Sequence, residues 1–420
     1  MPSRARGRTL MVVGLAGALA LGVTGCGGPN AEQTASPATT TASAGASAAS
    51  ATPSADVSPS LLTATFTQAD TDRVRARVAR TNEVLGAAGW MVAVWDPYRG
   101  DILLGDGNAA PADHFRIGTV TNTMTAVAAL RLVDEGLLSL DTTVDQYVQG
   151  LPNGDAITIR MLLDMTAGLP ILTEDAAFMK RYLADPNLAW TVDESLDLIR
   201  SLPPAHAPGE RQLFNTSNYI VLGRVLEQVV GRPADQVIFE QVVEPAGLVT
   251  TQLPVDSALP EPAVPGVMTL DGVERTADLQ NPQVPFTSGF AISTINDLRT
   301  WARTLGTGDL LTSETFQAQL PPESTEEPTY GLGLSNIDGW LGHSGYIWGY
   351  STMMYTEPNS GAVIVTFTSG GPPDAETATL TMLQTVATLY PGQFGYIDAA
   401  AAGADAYLDE VAAGATPSGG

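Results

Sequence analysis

The sequence predicts an α/β fold, and three observations carry that reading. Asp70 to Gly86 sets Val74, Val78, Val84 and Leu85 among charged residues, as an amphipathic helix does, and the apolar runs Trp90 to Asp96 and Asp101 to Gly105 follow it. Phe115 to Gly136 (FRIGTVTNTMTAVAALRLVDEG) reads as a short strand or turn running into a long amphipathic helix, with Met124, Val127, Leu130, Leu132 and Val133 at roughly helical spacing. Late in the chain, Tyr330 to Ser335, Leu341 to Met354 and Ala362 to Ser369 are three strand candidates, and Asp374 to Leu389 is a closing helix.

Each element has a local reason. Pro97, Tyr98, Arg99 and Gly100 supply the turn chemistry that joins the first two apolar runs as an antiparallel hairpin. Ile157 to Pro170 predicts a helix over Ile159 to Met165 that ends near Gly168, and Asp175 to Leu202 is also predicted helical. Pro208 to Arg232 (PGERQLFNTSNYIVLGRVLEQVVGR) reads as a loop leading into a helix stopped by Gly231. Leu253 to Pro285 is rich in proline and has no clear period, so it is expected to cross the surface. Ser288 to Leu305 (SGFAISTINDLRTWARTL) predicts a strand and then a helix.

At 420 residues and 43.8 kDa the chain can bury a large core, and length alone would allow two or three domains. Lys plus Arg number 20 against 45 Asp plus Glu, a formal charge of -25, which argues against a basic patch for nucleic acid or an anionic membrane. Residues 1–25 read as a lipoprotein signal peptide: Arg4, Arg6 and Arg8 precede the apolar stretch Leu10 to Val23. The run Val23, Thr24, Gly25, Cys26 resembles a bacterial lipobox, so Cys26 is expected to be acylated and to hold the protein on the extracytoplasmic face of the cell membrane. Cys26 is the only cysteine, which excludes an intramolecular disulfide. Residues 26–65 are mostly Ala, Ser, Thr and Pro, lack the bulky side chains a core needs, and are expected to form a disordered tether. Residues 66–392 are then the folded domain, and 393–420 an acidic, Ala-rich tail.

The run Phe115, Arg116, Ile117, Gly118, Thr119, Val120, Thr121, Asn122 resembles the F-R-I-G-S-V-T-K frame of the serine β-lactamase and D-alanyl-D-alanine carboxypeptidase superfamily, in its branch of class C β-lactamases, carboxypeptidases and related esterases. The resemblance covers about residues 72–390. It implies one antiparallel sheet in which the two ends of the chain meet, helices on both faces, and a mainly helical region across the active-site cleft. It also implies acyl transfer by a serine, a lysine three residues later, a Tyr-x-Asn, and a Lys or His-x-Gly on the facing strand. In this frame Thr119 stands at the nucleophile and Asn122 at the base. Phe214 and Thr216 stand at the Tyr and Asn of the second motif. His343, Ser344 and Gly345 keep the third, and the backbone N–H groups of Thr119 and Tyr346 take the place of the oxyanion hole. Ser335 stands where carboxypeptidase members carry an arginine for the substrate carboxylate.

The residue types constrain the chemistry. Thr119 has a hydroxyl that could attack, crowded by its methyl group, or it could serve as a helix N-cap. Asn122 is an amide and cannot take a proton near neutral pH. The sole lysine, Lys180, has Ala177 three residues before it and reads as a surface charge. Phe214 lacks a phenol, and Asn218 is expected to hold the turn before its helix. His343 could be a base at neutral pH, or orient a ligand, or pack; His114 and His206 fall at positions without a family role. No metal-ligand spacing or phosphate loop occurs, so no metal or cofactor is expected.

Two functional expectations follow. One is a membrane-anchored domain that has lost the hydrolase mechanism and binds a peptidoglycan peptide, another small ligand or a protein partner. The other is a working hydrolase of the carboxypeptidase, esterase or β-lactamase type, with Thr119 as nucleophile and His343 or a water as base. A purely structural role for the tethered domain is a third.

Overall fold

The computed structural model describes residues 64–413 apart from 108, 271–272 and 372–375. The signal peptide, Cys26 and nearly all of the tether lie outside the described residues. In chain order the first elements are α1 (Gln68–Val84), the hairpin β1 (Ala87–Asp96) and β2 (Gly100–Gly107), β3 (Phe115–Arg116) and α2 (Thr121–Asp134). Then come α3 (Ile159–Leu163), α4 (Ala176–Ala184), α5 (Val192–Ser201), α6 (Thr216–Val230) and α7 (Ala234–Ile238). A second hairpin, β4 (Val267–Leu270) and β5 (Val273–Thr276), leads to β6 (Ile292–Ser293), α8 (Ile295–Thr307) and α9 (Ser313–Gln319). The chain closes with β7 (Thr329–Tyr330), β8 (Ser335–Ile337), β9 (Trp340–Ile347), β10 (Tyr350–Glu357), β11 (Ala362–Gly370), α10 (Glu376–Leu389) and α11 (Gly395–Ala412).

Seven strands form one antiparallel sheet in the order β2-β1-β11-β10-β9-β8-β7, so the first strands pair with the last. The run Trp-Met-Val-Ala-Val-Trp explains why β1 sits inside: it is apolar at every position, and both of its faces are buried. On one face Trp90, Val92, Val94, Ile364, Met353 and Tyr355 pack under α1, α10 and α11. On the other, Met91, Ala93, Val365 and Phe367 join the larger core with α2, α6 and α8. The predicted fold is the observed one: a large antiparallel sheet flanked by helices, with helices α3 to α7 forming the mainly helical region.

Helix α1 starts at a capping box in which Thr67 and Asp70 satisfy each other's backbone N–H groups. The acidic, Ala-rich stretch after residue 393 forms α11, which buries Ile397, Ala400, Ala401, Ala404 and Leu408. Its Asp405 pairs with Arg77 of α1 at 2.6 Å.

Three expectations need correction. Helix α2 is not amphipathic: every residue from Thr121 to Leu130 is buried. Its polar side chains are largely satisfied inside, Thr123 by the Trp301 indole N–H at 2.7 Å and Thr125 by donating to the Thr287 carbonyl at 2.7 Å. The proline-rich connection does not simply cross the surface. Val264, Met268, Ala277, Gln280 and Val284 are buried, because the Arg116 guanidinium donates to Ser257 O at 2.6 Å and Gln280 Nε2 donates to Trp348 O at 2.8 Å. Finally, Leu341 to Met354 is two strands, with Gly349 at φ +74° in the turn between β9 and β10.

Candidate functional site

Two glycines bring the first and third motifs together. A Cβ on Gly118, which has φ +52°, would lie 2.5 Å from the Tyr346 carbonyl oxygen. One on Gly345 would lie 2.0 Å from the Ile117 carbonyl oxygen. Main chain therefore meets main chain where β9 crosses the 3-10 turn Gly118–Val120, a closeness that other residues would prevent. The Thr119 hydroxyl, half-buried, donates to the Ser344 carbonyl at 3.1 Å.

Thr119 is not a helix N-cap. The residue in that position is Val120, whose backbone is already helical at φ -55° and ψ -26°, and no side chain caps the first turn. A capping side chain needs an extended backbone at its own position. Here a 3-10 turn feeds directly into α2, and Thr119 is turned toward β9.

Asn122 is fully buried, and neither its Oδ1 nor its Nδ2 has a hydrogen-bond partner. Leaving such a group unmade costs about 1–3 kcal/mol. Helical spacing sets Asn122 on one face with Ala126, and that face looks toward Gly333 and the Tyr219 hydroxyl. A Cβ on Gly333 would lie 2.2 Å from Ala126 Cβ, 2.8 Å from Tyr219 Oη and 3.5 Å from Asn122 O.

In the second stretch Phe214 is half-buried, with its ring 6.4 Å from that of His343, and Thr216 opens α6. Asn215, not Asn218, holds the turn. Its backbone is extended at φ -154°, its Oδ1 accepts the Ser217 N–H at 2.9 Å, and its Nδ2 donates to Leu169 O at 2.7 Å. Asn218 lies inside the helix and donates to Met165 Sδ at 3.3 Å. Tyr219 donates to Leu163 O at 2.9 Å.

His343 is buried with both nitrogens engaged. A carbonyl can only accept, so Nδ1 carries the proton it shares with Ser344 O, and Nε2 accepts from the Tyr330 hydroxyl at 3.0 Å. Burial holds its pKa at about 4, with the bond to Ser344 opposing that shift. Neutral pH therefore finds a neutral imidazole with no nitrogen left to take a proton from Thr119, against the expectation that His343 could be the base. Burial likewise pushes the Tyr330 phenol up.

The remaining assignments are simpler. Ser335 is buried and bonds to Gly342 O and the Tyr355 hydroxyl. His114 and His206 bond to the carbonyls of Pro262 and Ala207, and Lys180 is exposed on α4. No group of three or more His, Cys, Asp or Glu able to hold a metal occurs among the described residues. Thr119 and Phe214 thus lie against the His343 to Gly345 run, while Asn122 is buried in the first turn of α2. Sequence reasoning did not find Tyr330 as the partner of His343, or Arg116 as the buried clamp of the proline-rich connection.

A family model described as Beta-lactamase matches residues 48–388. A Bacillus subtilis (strain 168) protein named "Putative penicillin-binding protein PbpX" is 24% identical over 260 residues, covering 62% of this chain and 63% of that protein. Penicillin-binding protein 4 of Amycolatopsis lactamdurans is 31% identical over 151 residues, covering 34% and 37%. The chain thus spans less than two thirds of the length of these curated relatives. Among solved structures, the D-stereospecific amidohydrolase from Streptomyces sp. is similar at a TM-score of 0.68 and 25% identity, covering 77% of this chain and 98% of that one. The octameric penicillin-binding protein homologue from Pyrococcus abyssi shares the fold at a TM-score of 0.66 and 21% identity, covering 78% and 80%.

Proposed function

The chain belongs to the beta-lactamase family, and from that premise we propose that it is a member without acyl-transfer chemistry whose site serves for binding. One observation carries the reading: the Thr119 hydroxyl donates to the Ser344 carbonyl, which accepts a hydrogen bond and is not a base. Asn122 is an amide, Phe214 a hydrocarbon ring, and both nitrogens of His343 are engaged. Acyl transfer needs a nucleophile and a base in one hydrogen-bonded unit, and loss of either member of such a unit costs on the order of a millionfold in rate. The half-buried rim of Thr119, Phe214, Thr216 and Tyr346 remains reachable. A peptidoglycan peptide, another small ligand or a protein partner is what such a rim would bind.

The test is intact mass spectrometry after incubation with a penicillin and a fluorophosphonate, beside Thr119→Ala. No adduct on either protein is expected. An adduct present in the wild type and lost in Thr119→Ala would establish the competing reading, a hydrolase with Thr119 as nucleophile, whose support is the kept His343, Ser344 and Gly345 run. The same proposal places the domain at the extracytoplasmic face of a bacterial membrane through a lipid on Cys26. Metabolic labelling with an alkyne fatty acid should mark the wild type and not Cys26→Ser; equal labelling would refute the anchor.

A further inference from the structure

We propose that α11 is a clamp on β9, so that docking or release of this helix sets how firmly the His343 to Gly345 run is held. The inference goes beyond the function proposed above and applies whether the site binds or reacts. The family model ends at residue 388 and α11 begins at Gly395, so the helix lies beyond the part of the chain that the model matches.

Two contacts tie α11 to the start of β9. Asp338 and Gly339 form the turn between β8 and β9, with φ of +53° and +91°, as a type I′ hairpin turn requires. The turn aims the Asp338 carboxylate at α11, where Oδ2 accepts the backbone N–H of Tyr396 at 2.9 Å and that of Ile397 at 3.4 Å. Phe394 holds the N-cap position and makes no side-chain cap, so the cap comes from the β8–β9 turn instead. Beside it Trp340 opens β9, wholly buried, and packs edge-on against the rings of Tyr390 and Phe394 at 5.8 and 5.7 Å.

β9 is where a change at this end is felt. β8 pairs with Trp340, Leu341 and Gly342 and then ends, so among the described residues His343 to Ile347 have one strand partner, β10. The same stretch carries the Ser344 carbonyl, the acceptor for both Thr119 Oγ1 at 3.1 Å and His343 Nδ1.

The hold on α11 is light enough to be released. Three of the five side chains it buries, Ala400, Ala401 and Ala404, are alanines with little apolar area, and its ion pair of Asp409 with Arg80 is largely exposed to water. Asp405 adds bonds from Arg77 Nη2 at 2.6 Å and Gln384 Nε2 at 2.9 Å. An element held this way opens before the sheet does. By linkage, whatever steadies β9 from the site steadies α11 in return.

The test is amide hydrogen exchange by mass spectrometry on the full chain and on three variants. Asp338→Gly removes the cap and keeps a residue suited to the turn, while Asp338→Asn keeps an acceptor at the same place. Asp405→Ala loosens α11 from Arg77 without touching the turn. Peptides from α11 and from Leu341 to Ile347 should exchange faster together, about tenfold in Asp338→Gly and by a smaller factor in Asp405→Ala. Peptides from β1 should hold their rate, and Asp338→Asn should stay near the wild type. Faster α11 with β9 unmoved in either variant, or α11 unmoved in both, would overturn the clamp. A change in β9 confined to Asp338→Gly would be a turn effect alone, and equal acceleration of β1 would be a general loosening; either result overturns it as well.

Discussion

Gly345→Ala tests how closely β9 must approach the turn before α2. The added Cβ would lie 2.0 Å from the Ile117 carbonyl oxygen and 3.0 Å from both the nitrogen and Cγ2 of Val120, where an ordinary contact is 3.4 Å or more. Two backbones, neither of which can rotate away, would have to part by more than an ångström. That separation carries Thr119 Oγ1 out of reach of Ser344 O, now 3.1 Å away. Overpacking a core costs about 1–3 kcal/mol, and an obstacle made of main chain puts this case at the upper end. The lost hydrogen bond adds about 1 kcal/mol. With a urea m-value of about 3 kcal/mol/M, the midpoint should fall by about 1 M at constant m. Gly395→Ala is the control: it opens α11, meets nothing within 4 Å, and should hold or slightly raise the midpoint. A Gly345→Ala midpoint no lower than that of Gly395→Ala would refute the packing argument.

Three further outcomes are expected. His343 titrates at about 4 when folded against 6.5 when unfolded, so the unfolded chain takes up the proton first as pH falls. Its contribution is full above pH 6.5 and declines on acidification by about 1.4 kcal/mol per pH unit until about pH 4; urea midpoints from pH 7 to 4.5 should show a shallower decline in His343→Gln, and equal slopes would contradict the assignment. Tyr330→Phe leaves His343 Nε2 buried without a donor and should cost about 1–2 kcal/mol by urea denaturation, whereas no change would mean the bond at 3.0 Å contributes nothing. Truncation before Gly395 strips five buried side chains from α1 and α10 and should lower the melting temperature by about 5 °C or more; an unchanged melt would show that α11 is not part of the cooperative unit.

Elements with a strong local pattern were legible in the sequence. The apolar run of β1, the turn after Asp96 and the glycine stop of α6 each depend on residues adjacent in the chain. What could not be read depends on distant partners or on backbone conformation. An N-cap and a bond to Ser344, 225 residues away, are written with the same Thr119. Asn215 and Asn218 both stand at a helix start, and only the extended backbone of Asn215 identifies the cap. The threonines of α2 look like a solvent face because the indole and carbonyl that satisfy them come from α8 and the Thr287 turn. Tyr330 becomes the partner of His343 only once the strands are laid side by side.

The strand order also sets a timetable. β1 is made early, yet its inner partner β11 follows roughly 270 residues later, with Val94 opposite Ile364 and Trp95 opposite Val363. At a synthesis rate of about 5–20 residues per second the hairpin of β1 and β2 waits on the order of 15–50 seconds with one apolar edge unpaired. During that interval it presents an unpaired apolar edge of the kind that pairs with other chains. The sheet cannot close on a nascent chain, so any machinery that requires this protein unfolded finds it in that state until its final strands emerge.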